Sequence, residues 1–198
     1  MSDRRISAKQ KFIETASALF ADRGYYGVSL ADVADELGLT KQAVLYHFQS
    51  KQALYAAVLQ GMADRLEAVV ARARSAECDE DTRLEFFLRE LHDHMQADPV
   101  DGRIVARELL DNLDRAATSR KWVLRGFLED CVELLRGARA WKGASDDELT
   151  AVVYQMIGAI NYFAISDVTL TGIWGKNRLA GMKSAFFPAL QKTFIQRS

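Results

Sequence analysis

Residues 24–51, GYYGVSLADVADELGLTKQAVLYHFQSK, carry side chains whose types and spacing suit contact with a DNA base edge. Val44 and Phe48 are apolar and one helical turn apart, so we expect both to face a core. At about 100° per residue the outward side chains are then Gln42, Ala43 and Tyr46, with Lys41 and His47 on the flanks. An amide can pair with adenine, a methyl group can meet a thymine methyl, and a phenol can reach a base or a phosphate. The pattern therefore predicts a short helix that enters the major groove.

Two neighbouring residues could hold the DNA backbone. Ser29 offers a hydroxyl and free backbone N–H groups at a helix N-terminus, which suits a phosphate contact. Lys51 begins the next helix, where a cation can meet a second phosphate. We therefore expect positioning contacts on both sides of the reading helix.

Capping residues mark the helices that must position these side chains. Ser7 with Gln10, and Ser29 with Asp32, have capping-box spacing, while Thr40 and Ser50 precede the next two helices. Gly38 terminates the second helix and leaves about three residues before the third. This spacing is that of a helix-turn-helix.

At this point the sequence resembles TetR-type one-component transcriptional repressors. The segment GLTKQAVLYHFQSKQAL resembles the signature of that family, and GYYGVSLADVADEL resembles its turn and second helix. The resemblance is strongest over residues 7–60, and it implies DNA contacts at Ser29, Lys41, Gln42, Ala43, Tyr46, His47 and Lys51. Many members have tyrosine where this chain has Leu45, so one contact of the family is expected to be absent.

The composition predicts an all-α protein. The 198 residues include 12 Gly and 2 Pro, 49% are apolar, and 27% are charged with a net charge of −1. Ala and Leu, both strong helix formers, are abundant. We expect about nine helices, divided into a helix-turn-helix DNA-binding domain over residues 1–51 and a helical effector-binding and dimerisation domain over residues 52–198.

Several function classes find no support in the sequence. Cys78 and Cys131 are the two cysteines, which argues against a disulfide scaffold. His92 and His94 lie two apart on a helix, about 200° around it, so no zinc site is expected there. No catalytic motif is visible, and we expect no enzyme, metal or cofactor. The apolar tract 151–165 contains Tyr, Gln and Asn and is interpreted as a buried helix, which predicts a cytoplasmic protein without a membrane span.

The later helices carry many bulky apolar side chains. Any one of them can simply fill a core, but the family resemblance implies a cavity for an apolar or aromatic effector. The candidates for its lining are Phe87, Leu91, Trp122, Phe127 and Tyr154. The polar side chains that could orient a ligand there are His92, Asn112, Tyr154, Gln155 and Asn161.

The last two helices carry more apolar surface than one core contact requires. In the family such helices form a two-fold four-helix interface, and the alternative is a contact within one chain. The interface candidates are Gly158, Tyr162, Ile165, Phe186, Leu190 and Phe194. A two-fold dimer would present two reading helices to a pseudo-palindromic operator.

These features together favour a ligand-responsive regulator, most simply a repressor, that a small molecule releases from DNA. The alternative is a small helical lipid carrier or enzyme that uses the apolar cavity and keeps the helix-turn-helix as a scaffold.

Overall fold

The computed structural model describes residues 7–111 and 122–196, and Asn112 lies outside them. The described residues form nine α-helices and no strand, which confirms the predicted all-α fold. The helices are α1 Ala8–Arg23, α2 Leu30–Glu36, α3 Lys41–Phe48, α4 Lys51–Ser75, α5 Glu80–Ala97, α6 Val100–Asp111, α7 Arg125–Gly137, α8 Asp146–Ile165 and α9 Asp167–Phe194, with a 3-10 turn at Arg139–Trp141.

Backbone contacts group the described residues into two compact units. The first unit contains residues 7–64, 103–111 and 122–123, and the second contains residues 65–102 and 124–196. Helices α4 and α6 each contribute residues to both units. The predicted functional boundary at residue 51 stays a prediction, because a compact unit is defined by contacts and not by activity.

Local capping explains where the first helices begin. The hydroxyl of Ser29 accepts from the Asp32 N–H at 3.2 Å, and the Asp32 carboxylate accepts from the Ser29 N–H at 2.6 Å, which is a complete capping box. Ser7 accepts from the Gln10 N–H at 3.1 Å, but the Gln10 amide donates to Glu14 instead of returning to Ser7. The first expected capping box is thus only half formed.

The core of the first unit is built from the apolar positions of α1 to α4. Phe12 and Phe20 on α1, Val33 on α2 and Val44 on α3 are all at most 1% exposed. The ring of Phe20 meets the ring of Tyr55 edge-on, with centroids 4.9 Å apart. Side chains one turn apart on each helix therefore close one small core.

Three local features differ from what the residue pattern alone predicts, which is a helix that includes Trp122, a turn over residues 171–175 and a loop around Trp141. Trp122 precedes α7, which begins at Arg125, so it is not a helical residue. The expected turn at 171–175 is helical within α9 except at Gly175, whose φ of 78° interrupts it. A glycine in a helix costs only about 1 kcal/mol, so Gly172 does not end it. Trp141 was expected in a loop, but it is 5% exposed and its indole N–H donates to the Phe194 carbonyl at 2.8 Å.

Among the described residues, α8 is long and apolar enough to cross a membrane by length and composition, and 44% of its most apolar stretch is buried within the protein. A core helix that packs on its neighbours has the same properties. Its buried positions include Leu149, Val153, Met156 and Ile160.

Candidate nucleic-acid interface

Helix α3 is held by two apolar side chains on its inner face. Val44 is 0% exposed and Phe48 is 4% exposed, and the ring of Phe48 meets the ring of Phe12 edge-on at 6.5 Å. Helix α2 packs against both α3 and α1. These contacts fix the rotation of α3 about its own axis and thus determine which side chains face outward.

The turn between α2 and α3 is closed by backbone hydrogen bonds around Gly38. The Leu39 N–H donates to the Ala34 carbonyl at 2.9 Å, and the Gly38 N–H donates to the Asp35 carbonyl at 3.0 Å. This is a Schellman motif, which places its glycine in the left-handed region, and φ of Gly38 is 65°. Thr40 then caps α3 by accepting from the Ala43 N–H at 3.4 Å.

The outer face of α3 has the composition that a DNA-reading helix needs. Lys41, Gln42 and Tyr46 are exposed, and Tyr46 is 85% exposed. Ala43 and His47 are half-buried at the edge of this face, and His47 lies between the rings of Phe12 and Tyr46, at 5.6 and 5.1 Å. The five side chains therefore share one surface, and their DNA contacts stay predictions.

The two residues expected to hold phosphates have different surroundings. Ser29 is exposed at the start of α2, and hydrogen bonds from Ser29 lower the pKa of Asp32. Lys51 is half-buried, and its Nζ lies 4.3 Å from the centroid of the Tyr25 ring. Burial lowers the pKa of Lys51, while the Asp32 charge opposes that shift. Lys51 thus has a defined position before any DNA contact.

Two exposed side chains near this surface were missed by the sequence reasoning. Tyr26 is 80% exposed and Leu39 is 46% exposed, immediately before the cap of α3. Lys9 on α1 also reaches the end of α3, with its Nζ 5.8 Å from the Phe48 ring centroid. A large apolar or aromatic residue in a turn was the available signal for Tyr26 and Leu39.

The effector candidates fall into separate environments in the structure. Phe87, Leu91 and Phe127 are at most 1% exposed, Trp122 is half-buried, and Tyr154 is 63% exposed. Tyr154 therefore points away from the interior of this chain. One pocket of about 240 Å³ in the second unit is lined by Arg74, Glu80, Arg83, Glu133 and Leu134 and is polar, unlike the expected apolar cavity.

The interface candidates also divide by burial. Gly158 and Tyr162 are exposed, Ile165 and Phe186 are half-buried, and Leu190 and Phe194 are only 5% and 6% exposed within one chain. The rings of Phe163 and Phe186 stack at 3.9 Å. Leu190 and Phe194 are therefore core residues of the second unit, whereas Gly158 and Tyr162 remain available to a second copy.

No group of three or more His, Cys, Asp or Glu side chains that could hold a metal ion occurs within residues 7–111 and 122–196. The thiol of Cys131 is buried, and burial raises its pKa. A raised pKa keeps this thiol protonated, so Cys131 lacks the thiolate that a nucleophile or a metal ligand requires.

The capped α2–turn–α3 arrangement defines a helix-turn-helix protein. Residues 12–58 match the family model described as bacterial regulatory proteins, tetR family. The chain is 32% identical over 101 residues to the HTH-type transcriptional activator FasR of Mycolicibacterium smegmatis, which covers 51% of this chain and 46% of that protein. It is also 34% identical to IcaR of Staphylococcus aureus, a negative transcriptional regulator of the biofilm operon icaADBC. That alignment of 62 residues covers 31% of this chain and 33% of IcaR. Residues 12–58 of this chain therefore match the DNA-binding domain of the tetR family, within the all-α fold described above.

Solved structures extend the likeness in fold to most of the chain. The fatty acid degradation regulator FadR from Bacillus halodurans has a TM-score of 0.69 and 17% identity, over 94% of this chain and 96% of its own. AibR, solved with isovaleryl coenzyme A and operator DNA, has a TM-score of 0.64 and 20% identity, over 80% and 86%. By sequence, however, the match spans less than half the length of each of the two curated relatives described above.

Proposed function

We propose that this protein is a transcriptional regulator that binds a DNA operator through α3. The observation that carries the proposal is the burial of Val44 and Phe48, which leaves Gln42 and the 85% exposed Tyr46 on one outward face. Base edges in the major groove are read by such a helix, while Ser29 and Lys51 supply phosphate contacts beside it. Both matched relatives are named as transcriptional regulators, which supports this reading.

The proposed active form is a homodimer. Tyr162 and Val168 are 73% and 80% exposed, and a Cβ at Gly158 or Gly181 would meet no atom within 4 Å. Exposed aromatic and apolar groups beside glycines let two helices of a second copy approach closely. A two-fold pair would present two α3 helices to half-sites about 34–36 Å apart, which favours a pseudo-palindromic operator.

The second unit is proposed to bind an apolar or aromatic effector that weakens DNA binding. AibR was solved with an acyl coenzyme A and with operator DNA, which is a precedent for such a pairing in this fold. Helix α4 runs from the first unit into the second, and α6 begins in the second unit and ends in the first. A ligand that shifts either helix would change DNA affinity, and a coupling of about 1–3 kcal/mol would suffice.

The proposed direction of control is repression. One matched relative is named an activator and the other a negative regulator, so the family name does not set the sign. A promoter reporter in cells with and without the gene measures it directly: deletion should raise expression from the bound promoter. A fall in expression would make the protein an activator.

The proposed location is the cytoplasm, because a regulator that binds an operator must reach the chromosome.

A salt-dependent gel shift tests the proposal against the alternative of a lipid carrier or an enzyme. Purified protein is titrated against DNA from the promoter region of its own gene, with unrelated DNA of equal length as competitor. We expect a specific complex whose affinity falls linearly with the logarithm of salt concentration. A carrier or enzyme would give no preference for the promoter over the competitor.

A further inference from the structure

Buried polar atoms without hydrogen-bond partners are concentrated in the second unit. Among the described residues there are five such side-chain atoms: Arg83 Nε, His92 Nε2, Gln96 Nε2, Asn161 Oδ1 and Asp167 Oδ1. Buried polar groups are normally satisfied, and each one left unpaired opposes folding. An unpaired group inside a protein is therefore a place where a small bound molecule, a water or a ligand, can be held.

Two of these atoms lie on one face of α5. His92 and Gln96 are four residues apart, so their side chains are neighbours on the helix surface. The imidazole of His92 lies 5.8 Å from the ring of Phe186 and 5.7 Å from that of Phe187. Its Nδ1 lies 2.9 Å from the carboxylate of Asp93, which leaves Nε2 as the atom without a partner in this apolar setting.

Asn161 on α8 supplies the third atom and is only 9% exposed. Its Oδ1 lies 2.5 Å from the position that a Cβ at Gly102 would occupy. Gly102 lies in the first turn of α6, six residues after Gln96, so Asn161 meets the chain shortly after α5 ends. The missing side chain at position 102 leaves room for the Asn161 amide.

The neighbouring charges limit what such a partner can be. The guanidinium of Arg89 stacks on Phe187 at 4.1 Å and pairs with Glu85 at 3.6 Å. Lys183 pairs with Asp167. Since carboxylates already accompany these cations, a ligand anion buried beside His92 would have no counter-ion of its own, which is strongly unfavourable.

We propose that His92, Gln96 and Asn161 form the polar end of an internal ligand site, and that its ligand is an uncharged apolar molecule with a hydroxyl or primary amide group. Such a group both donates and accepts, as Gln96 Nε2 and Asn161 Oδ1 require. Two other polar candidates from the sequence, Tyr154 and Gln155, are exposed and take no part. The inference rests on the proposed ligand-responsive function and names the chemistry of its effector.

The test compares isomeric probes on the full chain without DNA. 1-Octanol and heptyl methyl ether have the same atoms, but only the alcohol can donate a hydrogen bond. Octanamide is the second neutral donor, and octanoate at pH 8 is the charged member of the series. By calorimetry we expect the alcohol and the amide to bind about tenfold more tightly than the ether, as one buried hydrogen bond allows, and more tightly than octanoate.

Variants assign the preference to these residues. Asn161→Leu and His92→Phe should bring the alcohol-to-ether ratio close to one while ether binding persists. Asn161→Leu should not lower Tm by removing a hydrogen bond of Oδ1, whereas His92→Phe also removes the contact between His92 Nδ1 and the Asp93 carboxylate. Gly102→Ala crowds the Asn161 amide and should reduce the ratio without altering any of the three polar residues. Gln155→Leu, an exposed site on the same helix, is the control and should keep the tenfold ratio.

Each contrary result overturns the proposal. The first such result is that neither the alcohol nor the amide binds up to its solubility limit, and the second is an alcohol-to-ether ratio near one in the wild type. The others are an alcohol-to-ether ratio that the Asn161 and His92 variants leave unchanged, or octanoate that binds more tightly than the alcohol and the amide. Operator binding is measured separately by gel shift. Selective alcohol binding without an operator complex would refute the regulatory function and keep the ligand site. An operator complex without selective alcohol binding would keep the regulatory function and refute the ligand site.

Discussion

The ammonium group of Lys51 lies 4.3 Å from the centre of the Tyr25 ring, over its face. A cation at this distance is attracted by the ring quadrupole, so a side chain proposed to hold a phosphate is already oriented. Tyr25 itself contacts Tyr55 with ring centroids 4.9 Å apart, which connects this orientation to α4. Lys51 therefore differs from Lys41, which is exposed on α3.

The first prediction uses this difference between the two lysines. Lys51→Ala should reduce the slope of log K against log salt by about 0.9, because one phosphate contact disappears. It should also lower the free energy of unfolding by about 0.5–1 kcal/mol, because the contact with Tyr25 is lost. Lys41→Ala is the matched variant and should change the slope alone. Gel shifts over a salt series and urea unfolding measure both quantities, and an unchanged slope for Lys51→Ala would remove it from the interface.

The second prediction concerns Tyr46. Tyr46→Ala should weaken operator binding by about 1–2 kcal/mol, roughly 5- to 30-fold, with Tm unchanged because the side chain is 85% exposed. Tyr26→Ala is the control: that residue is 80% exposed but lies outside α3, and it should change affinity less. Equal losses for the two variants would mean that α3 is not the element that reads the operator.

The third prediction concerns assembly. Tyr162→Arg should convert a dimer of about 44 kDa, twice the 22.2 kDa chain, into a monomer, because the charge would be buried between two copies. Leu110→Arg, at a site in α6 that is 74% exposed, should leave the dimer intact. Light scattering gives both masses. Phe194 is a poor choice for this test, since it is buried in its own chain and its substitution would disturb folding.

The fourth prediction concerns Asp101, which accepts from Arg65 Nε and His94 Nε2, each at 2.9 Å. Burial alone would raise the pKa of Asp101, but the hydrogen bonds from Arg65 and His94 hold it below its ordinary value. Asp101→Asn should therefore lower the free energy of unfolding by about 2–3 kcal/mol at pH 7. We expect the lower end of this energy range, because Arg65 is 41% exposed and solvent weakens its attraction to Asp101.

The pH dependence of this effect has a defined sign. Because the pKa of Asp101 is lowered by folding, its stabilisation is complete above the unfolded value of about 4 and is lost as pH falls through the folded value. The difference in the free energy of unfolding between wild type and Asp101→Asn should thus shrink below about pH 4. Urea unfolding from pH 3 to 7 measures this difference, with Asp64→Asn, at an exposed carboxylate that precedes Arg65 in the sequence, as control. A difference that stays constant with pH would show that the carboxylate charge is not the cause.

The sequence by itself determined the all-α fold and the outward face of α3. Val44 and Phe48 are one turn apart, and the caps at Ser29 and Thr40 act over three residues, so local geometry is sufficient. Gly38 likewise adopts a conformation that its own lack of a side chain permits. Such features need no knowledge of distant residues.

The tertiary structure alone decided the roles of apolar residues in the second unit. Tyr154, Tyr162 and Phe194 are equally plausible core residues by type, yet two are exposed and one is buried. Hydrophobicity indicates that a side chain gains by burial, but it does not specify the partner, because helices α8 and α9 carry more apolar surface than one core can cover. The unpaired atoms of His92, Gln96 and Asn161 became visible only when every neighbouring group had a position, since a missing hydrogen bond is a property of the whole environment.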